Sequence, residues 1–452
     1  MSVVVACGSY AGEVFSFEYN YVTDDTCQTS MLKPIFIDTD AHKNSVTALA
    51  IEGDFVVSGS DDEIIQVFSV SRKLRCGSLE MHTGTIRALR FASTAGHLNS
   101  PHHLISIADD ACVAIWRYHQ SFDIKLEDAP PSKKQKLSNK SSVSANDSRW
   151  ECIRQMRRHK AAIIQLALHP TKRAAISISK DKTLRIWNLA RGRQAYAVRL
   201  KTLRAEGLID LDFSPSGEYL LFIWPNRFSI INILPSPTNL NDHTSELPPK
   251  SCKFSHKAVG SVNLLRPITA SPVFFAEDDS ACFIYILVGV GSFLKAYRFP
   301  NYKDPLSASK MSDSVELLGE AKLPCNRIKF LRILPWPHGT SLLRLVVILS
   351  ADSDASYVRG HLIDLGKSDW FSFMTPVFMY DLKSVRVTTL ASEWFVLPET
   401  LCPIKLPCDA YCAQTMVLCK TTKRTENVLE INKIECDSEE NPDECSEVSS
   451  YA

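Results

Sequence analysis

The chain has 452 residues, and its 51 Lys and Arg against 50 Asp and Glu leave a formal charge of +1. That balance excludes a uniformly basic nucleic-acid coat; 17 Gly exclude collagen-like and glycine-linker classes, and 45% hydrophobic residues supply core material that disordered chains lack. The length fits two or three domains, or one closed all-β architecture that grows by repetition.

The opening residues Met1-Ser2-Val3-Val4-Val5 carry neither the basic segment nor the apolar run of a leader. The 14 Cys contain no C-x-x-C pair, so free thiols in the cytosol or nucleus are expected. The longest apolar runs, Cys282 to Gly291 and Leu342 to Leu349, fall well short of the ~20 residues of a membrane span. No membrane partner is expected.

In chain order, strands are predicted at Val3 to Ala6 and Val14 to Tyr19, with no His-led unit of their own. Three copies of one template follow. His42 leads to Ser58, Asp62 and Phe68; His82 leads to Ser106, Asp110 and Trp116; His159 leads to Ser177, Asp181 and Trp187. In each copy the Ser precedes the Asp by four residues and the aromatic follows it by six. Alternating apolar stretches with polar turns fill the intervals, so each unit is a meander of short antiparallel strands. Such a sheet cannot bury both faces alone, and radial closure of stacked copies is the stable solution.

Weaker copies continue. Leu211 to Tyr219 reads as a first strand with its turn, Phe228 to Ile233 as a third strand, and Phe283 to Tyr297 as two more strands. Asn326 to Phe330 with Ser350 to Asp354 makes a degenerate sixth copy, and Val385 to Leu397 begins a seventh. The N-terminal strands are expected to pair with that last copy, so that both termini close the ring within one blade. Trp116 and Trp187 lie 71 residues apart, above a ~40–45 residue repeat. Removing the polar stretch His119 to Arg149, 31 residues with Pro130-Pro131, leaves 40. The expected organisation is a propeller over 1–422 with a disordered insertion at 119–149, a long loop at 300–322, and an acidic disordered tail at 423–452.

The repeated His, Ser, Asp and Trp sit at fixed offsets, which favours structural hydrogen bonding over catalysis or metal binding. No G-x-S-x-G, H-E-x-x-H, phosphate-cradling Gly loop or dinucleotide fingerprint occurs, so neither an enzyme, a small-molecule substrate nor a cofactor is expected. Cys402, Cys408, Cys412 and Cys419 fit no common zinc spacing and have no His beside them, which favours free thiols.

Local charge says more than the total. From Arg149 to Arg204 there are fifteen Lys and Arg against Glu151 and Asp181, a net of +13, while nine Asp and Glu with a single Lys433 follow from Glu426. In a closed ring, the turns before first strands and between second and third strands emerge on one face. Arg157, Arg158, Lys160, Lys180, Lys182, Lys201 and Arg204 are assigned to that rim; Lys172, Arg173, Arg191 and Arg193 belong to the opposite face. A concentrated basic rim binds RNA phosphates or an acidic protein segment, unless neighbouring acidic blades offset it. Lys133, Lys134 and Lys136, beside Pro131, form a nuclear-import cluster, with a solvated loop as the alternative.

The His-Ser-Asp-Trp template resembles the WD-repeat β-propellers, in which these four residues form a hydrogen-bonded chain that pins each blade. Phe68 lacks the N–H donor of Trp, so its copy is one member short. The start Val5 to Tyr10, the turns Phe55 to Glu63 and His82 to Ile86, Trp150-Glu151-Cys152, and Asp181 to Leu189 with Gly192-Arg193 resemble the p21-activated kinase-interacting WD-repeat proteins. The resemblance covers the chain to about Ile233. It implies a nucleolar, non-catalytic scaffold that assists large-ribosomal-subunit maturation, with assembly proteins, the pre-ribosomal particle and rRNA as partners. The alternative it leaves open is an adaptor that binds and inhibits p21-activated kinase, or one that presents substrates to a ubiquitin ligase. Members of that family often end in a Lys-rich tail, whereas this chain ends acidic.

Overall fold

Runs of Val, Ile, Leu and Phe bounded by Gly, Asp, Asn and Ser turns form strands of four to nine residues, and no helix occurs among the described residues. The structure, a computed structural model, describes residues 2–20, 32–92, 103–118, 150–200, 207–232, 257–278, 283–300, 315–336, 343–352, 355–365, 370–371, 374–383 and 385–395. No helix there is long and apolar enough to cross a membrane.

The strands form seven four-stranded antiparallel sheets, the blades of a β-propeller. Blade 1 combines Val387–Phe395 with Ser2–Ser9, Val14–Asn20 and Lys33–Asp38. Blade 2 spans Val46–Glu52 to Leu74–Glu80, blade 3 Ile86–Phe91 to Trp150–Met156, and blade 4 Ile163–Leu168 to Arg193–Arg199. Blades 5, 6 and 7 run from Asp210–Phe213 to Lys257–Asn263, from Ala270–Asp278 to Glu316–Lys322, and from Arg327–Pro335 to Thr375–Asp381. In blade 1, Ser2–Ser9 lies antiparallel to Val387–Phe395 with Val4 opposite Glu393, so both ends of the chain close the ring.

Seven hydrophobic clusters lie between successive blades. Val56 packs in the cluster shared with blade 1, and its neighbour Val57 in the cluster shared with blade 3. Middle strands thus bury both faces, which explains unbroken apolar runs such as Leu345 to Leu349, fully buried residue by residue. Side chains alternate across a strand, and here each side meets another blade.

Two details set the blade spacing. A Cβ on Gly8 would stand 2.5 Å from Val46 Cγ1, and one on Gly59 would stand 2.4 Å from Ile86 Cγ2. Each glycine lets the first residue of the next inner strand press against the sheet. Inner strands also carry a bulge near their start, at Thr388, Thr47 and Lys329 among others. The bulge aims these side chains sideways. Thr388 Oγ1 donates to the Val46 carbonyl, Thr47 Oγ1 to that of Ile86, and Lys329 Nζ to that of Val387 at 3.1 Å.

One expectation is corrected. The 300–322 stretch, read as loop, ends in the outer strand of blade 6, Glu316–Lys322. Its residues are mostly exposed on both sides, so no apolar alternation marks it. The insertion at 119–149 joins the third and fourth strands of blade 3 and lies outside the described residues, as do the limit at 422 and the tail at 423–452.

Candidate partner-binding face

Each blade's inner strand starts at the end where the second strand turns into the third, so these two kinds of connection share one face. Backbone bonds tie them together: Asp61 N donates to Ser45 O, Asp109 N to Thr85 O, and Lys180 N to Ala162 O.

Beneath this face lie the repeated polar residues. His159 Nε2 and Ser177 Oγ are 2.7 Å apart, His159 Nδ1 lies 3.1 Å from Asp181, and Trp187 Nε1 donates to Ser177 Oγ at 2.8 Å. Blade 3 repeats this with His82, Ser106, Asp110 and Trp116 at 2.7, 2.9 and 2.8 Å. In blade 2, His42 bridges Ser58 at 2.7 Å and Asp62 at 3.1 Å, while Phe68 stacks on Phe36 with centroids 5.0 Å apart. Stacking there takes the place of the missing donor.

The aspartate holds the turn as well as the histidine. Asp181 accepts from Lys160 N at 2.9 Å and from Thr183 N at 2.8 Å. The next residue adopts a left-handed backbone in all three repeats: Glu63 at φ 71, Ala111 at φ 60 and Lys182 at φ 64. Non-glycine residues rarely adopt this, and here the flanking bonds enforce it. Burial alone would raise the Asp181 carboxyl, but hydrogen bonds from His159, Thr183 and the Lys160 amide outweigh it and hold the group well below the usual carboxylate range. Asp110 is lowered in the same way.

His82, Asp110 and Cys112 form a group of potential metal-ligating atoms within 4.8 Å of one another. Both imidazole nitrogens of His82 are already engaged by Ser106 and Asp110. Burial pushes the Cys112 thiol up to about 11, away from the thiolate a metal binds. The group belongs to the blade network.

Above the network the charge changes sign around the ring. The same turn position holds Asp61 in blade 2, Asp109 in blade 3 and Lys180 in blade 4. Asp61 accepts from Ser45, and Asp109 takes Arg87 in a bidentate pair with Nε at 2.7 Å. In blade 4, Arg158, Lys160 and Lys180 are exposed and have no ion-pair partner among the described residues. Lys182 follows in the same turn, and Arg157 Nη2 lies 4.0 Å from Met81 Sδ in the connection between blades 2 and 3. Lys172 and Arg173 lie in the turn at the opposite end of blade 4, as do Arg191 and Arg193; Lys172 Nζ reaches the Phe91 carbonyl at 3.1 Å. Lys201 and Arg204, and the cluster Lys133, Lys134 and Lys136, lie outside the described residues.

Beside the blade 4 turn, blade 5 presents side chains that the repeat template did not identify. Leu200 N donates to Lys182 O, and Leu200 packs with Leu208 and Trp224 in the cluster between blades 4 and 5. Ile209 opens the next inner strand, and Leu265 lies in a loop whose flanks bond to Pro225 and Asn226. The tight Trp224-Pro225-Asn226-Arg227 turn and the apolar Leu264-Leu265 before Arg266-Pro267 were the available signals.

Comparison with known proteins agrees with this geometry. The model described as "WD domain, G-beta repeat" matches residues 33–69 and 150–188. Each match begins with the outer strand of one blade and ends with the third strand of the next. The chain is similar to the p21-activated protein kinase-interacting protein 1-like of Gallus gallus, 33% identical over 193 residues, 43% of this chain and 42% of that protein. It is 32% identical over 222 residues to the Homo sapiens p21-activated protein kinase-interacting protein 1, covering 49% and 46%. To Protein MAK11 of Saccharomyces cerevisiae it is 27% identical over 228 residues, 48% of each. The chain thus spans less than half of the length of these curated relatives.

Proposed function

We propose that this chain, which belongs to the p21-activated kinase-interacting WD-repeat family, is a non-catalytic scaffold in large-ribosomal-subunit maturation. On this reading it works in the nucleus and nucleolus and holds assembly proteins on the pre-ribosomal particle through its rim. The observation that carries the docking role is blade 4, where exposed Arg158, Lys160 and Lys180 have no ion-pair partner among the described residues and Lys180 stands at the turn position that holds Asp61 and Asp109 in blades 2 and 3. An uncompensated row of this kind attracts anionic surfaces with a salt-dependent affinity. The subunit role comes from the resemblance of the first half of the chain.

Sedimentation of nuclear extract through salt-stepped gradients tests it. The chain should co-migrate with pre-large-subunit particles and leave them as salt rises. Changing Arg157, Arg158, Lys180 and Lys182 to Glu should move it to light fractions without unfolding it. Light fractions for the unchanged chain at low salt would end the ribosomal reading. Recovery of a kinase instead would favour the adaptor role that the printed names of the chicken and human relatives point to.

A further inference from the structure

We infer that the sector of the rim over blades 4 and 5 is a docking site for an acidic protein segment that carries aliphatic side chains. The inference rests on the scaffold reading and specifies the partner's chemistry.

Cations and exposed apolar side chains stand here on the same face of neighbouring blades. Leu265 is fully exposed and Ile209 is 42% exposed. Leu265 is held in place: Leu264 N donates to Asn226 O at 2.8 Å and Ile268 N to Pro225 O at 2.7 Å. Backbone bonding on both sides fixes the loop, so little backbone ordering entropy opposes burial of the leucine by a partner. Ile209 N is likewise bonded to Ile223 O at 2.8 Å. Leu200, whose N donates to Lys182 O, packs with Leu208 and Trp224, the residues that precede Ile209 and Pro225 in the chain.

Charge and surface chemistry favour protein over RNA. Single-stranded RNA binds basic surfaces that also offer open aromatic faces for base stacking. The aromatic ring of this sector is already engaged: the Arg227 guanidinium lies 4.3 Å over the Trp224 ring, and Phe222 stacks at 6.1 Å. What remains exposed is aliphatic, and it gains by burial against another protein rather than by stacking. Exposed carboxylates on the partner would meet Arg158, Lys160 and Lys180, and its Leu or Ile side chains would cover Leu265 and Ile209.

Fluorescence anisotropy on the full chain tests the assignment with three labelled probes: a peptide repeating Glu-Glu-Leu, an all-Glu peptide of equal length, and an oligouridylate of equal charge. The first should bind about tenfold more tightly than the other two. Lys180→Asp restores the residue that blades 2 and 3 tolerate at this turn, and Leu265→Ser alters a side chain with no packing role. Each should weaken the Glu-Glu-Leu peptide about tenfold, and Lys180→Asp should also flatten the salt dependence. Equal affinity for the two peptides, tighter oligouridylate binding, or no response to Leu265→Ser would overturn the inference while leaving the scaffold reading in place. Loss of particle co-sedimentation as the sole failure, with peptide binding intact, would remove the scaffold reading instead.

Discussion

Replacing Glu393 by Gln should stabilise the propeller at pH 8 by about 2 kcal/mol, although the residue sits in the strand that closes the ring. Its Oε2 is buried and lacks a hydrogen-bond partner. Burial, then the charge of Glu52, push the carboxyl from its ordinary 4.5 up to about 8, and Lys172 only partly opposes them. Between those two values the folded chain holds a proton that the unfolded chain has released, so stability falls as pH rises and levels off above pH 8. The full span has a ceiling of about 5 kcal/mol at ~1.36 kcal/mol per pH unit, and residual water contact lowers it. Histidines work in the other direction. Burial holds His42 and His169 below their usual range and His361 at about 4, so their contribution is lost as pH falls below 6.5. The interval from 6.5 to 8 therefore reports mainly on Glu393, and the last part of that loss should appear across it. Urea unfolding at a series of pH values is the assay. The unchanged chain should lose stability over that interval, and Glu393→Gln should be flat and higher at its upper end. Parallel profiles for the two proteins would refute the reasoning.

Three further outcomes can be checked by the same unfolding measurements. Trp187→Phe removes the indole donor to Ser177 and leaves a small void at a fully buried site, and should cost about 2 kcal/mol, half from the hydrogen bond and half from packing; no loss would mean that the donor adds nothing to blade 4. Gly59→Ala drives a methyl into Ile86 and should cost about 1–3 kcal/mol, and adding Ile86→Ala should cost less than the sum of the two single changes, since the clash goes with it. Asp181 contributes its stability fully above pH ~4 and loses it as pH falls toward the lowered folded value, so Asp181→Asn should make acid unfolding shallower.

The three His-led repeats were legible because a tight turn, a buried hydroxyl and an indole must stand at fixed distances along the chain to meet in space. The closing strand was legible for a related reason: the N-terminal strands had no unit of their own, and the last C-terminal copy lacked partners. The outer strand Glu316–Lys322 was not, because an edge that faces water on both sides carries no alternation. Ile209 and Leu265 were missed for the opposite reason. Single apolar residues in loops are common, and only the backbone bonds to Ile223, Pro225 and Asn226 make these two a fixed surface.

The sequence alone determined the repeat, the ring closure and the concentration of +13 between Arg149 and Arg204 behind a total of +1. Tertiary structure decided which of those charges stand without an ion-pair partner. Asp61 and Asp109 are held by Ser45 and Arg87, each from the start of the same blade's inner strand, whereas the exposed Lys180 at the same turn has no ion-pair partner among the described residues. Formal charge adds along a chain regardless of position, but an exposed ion attracts a partner only where no neighbour in space has already answered it.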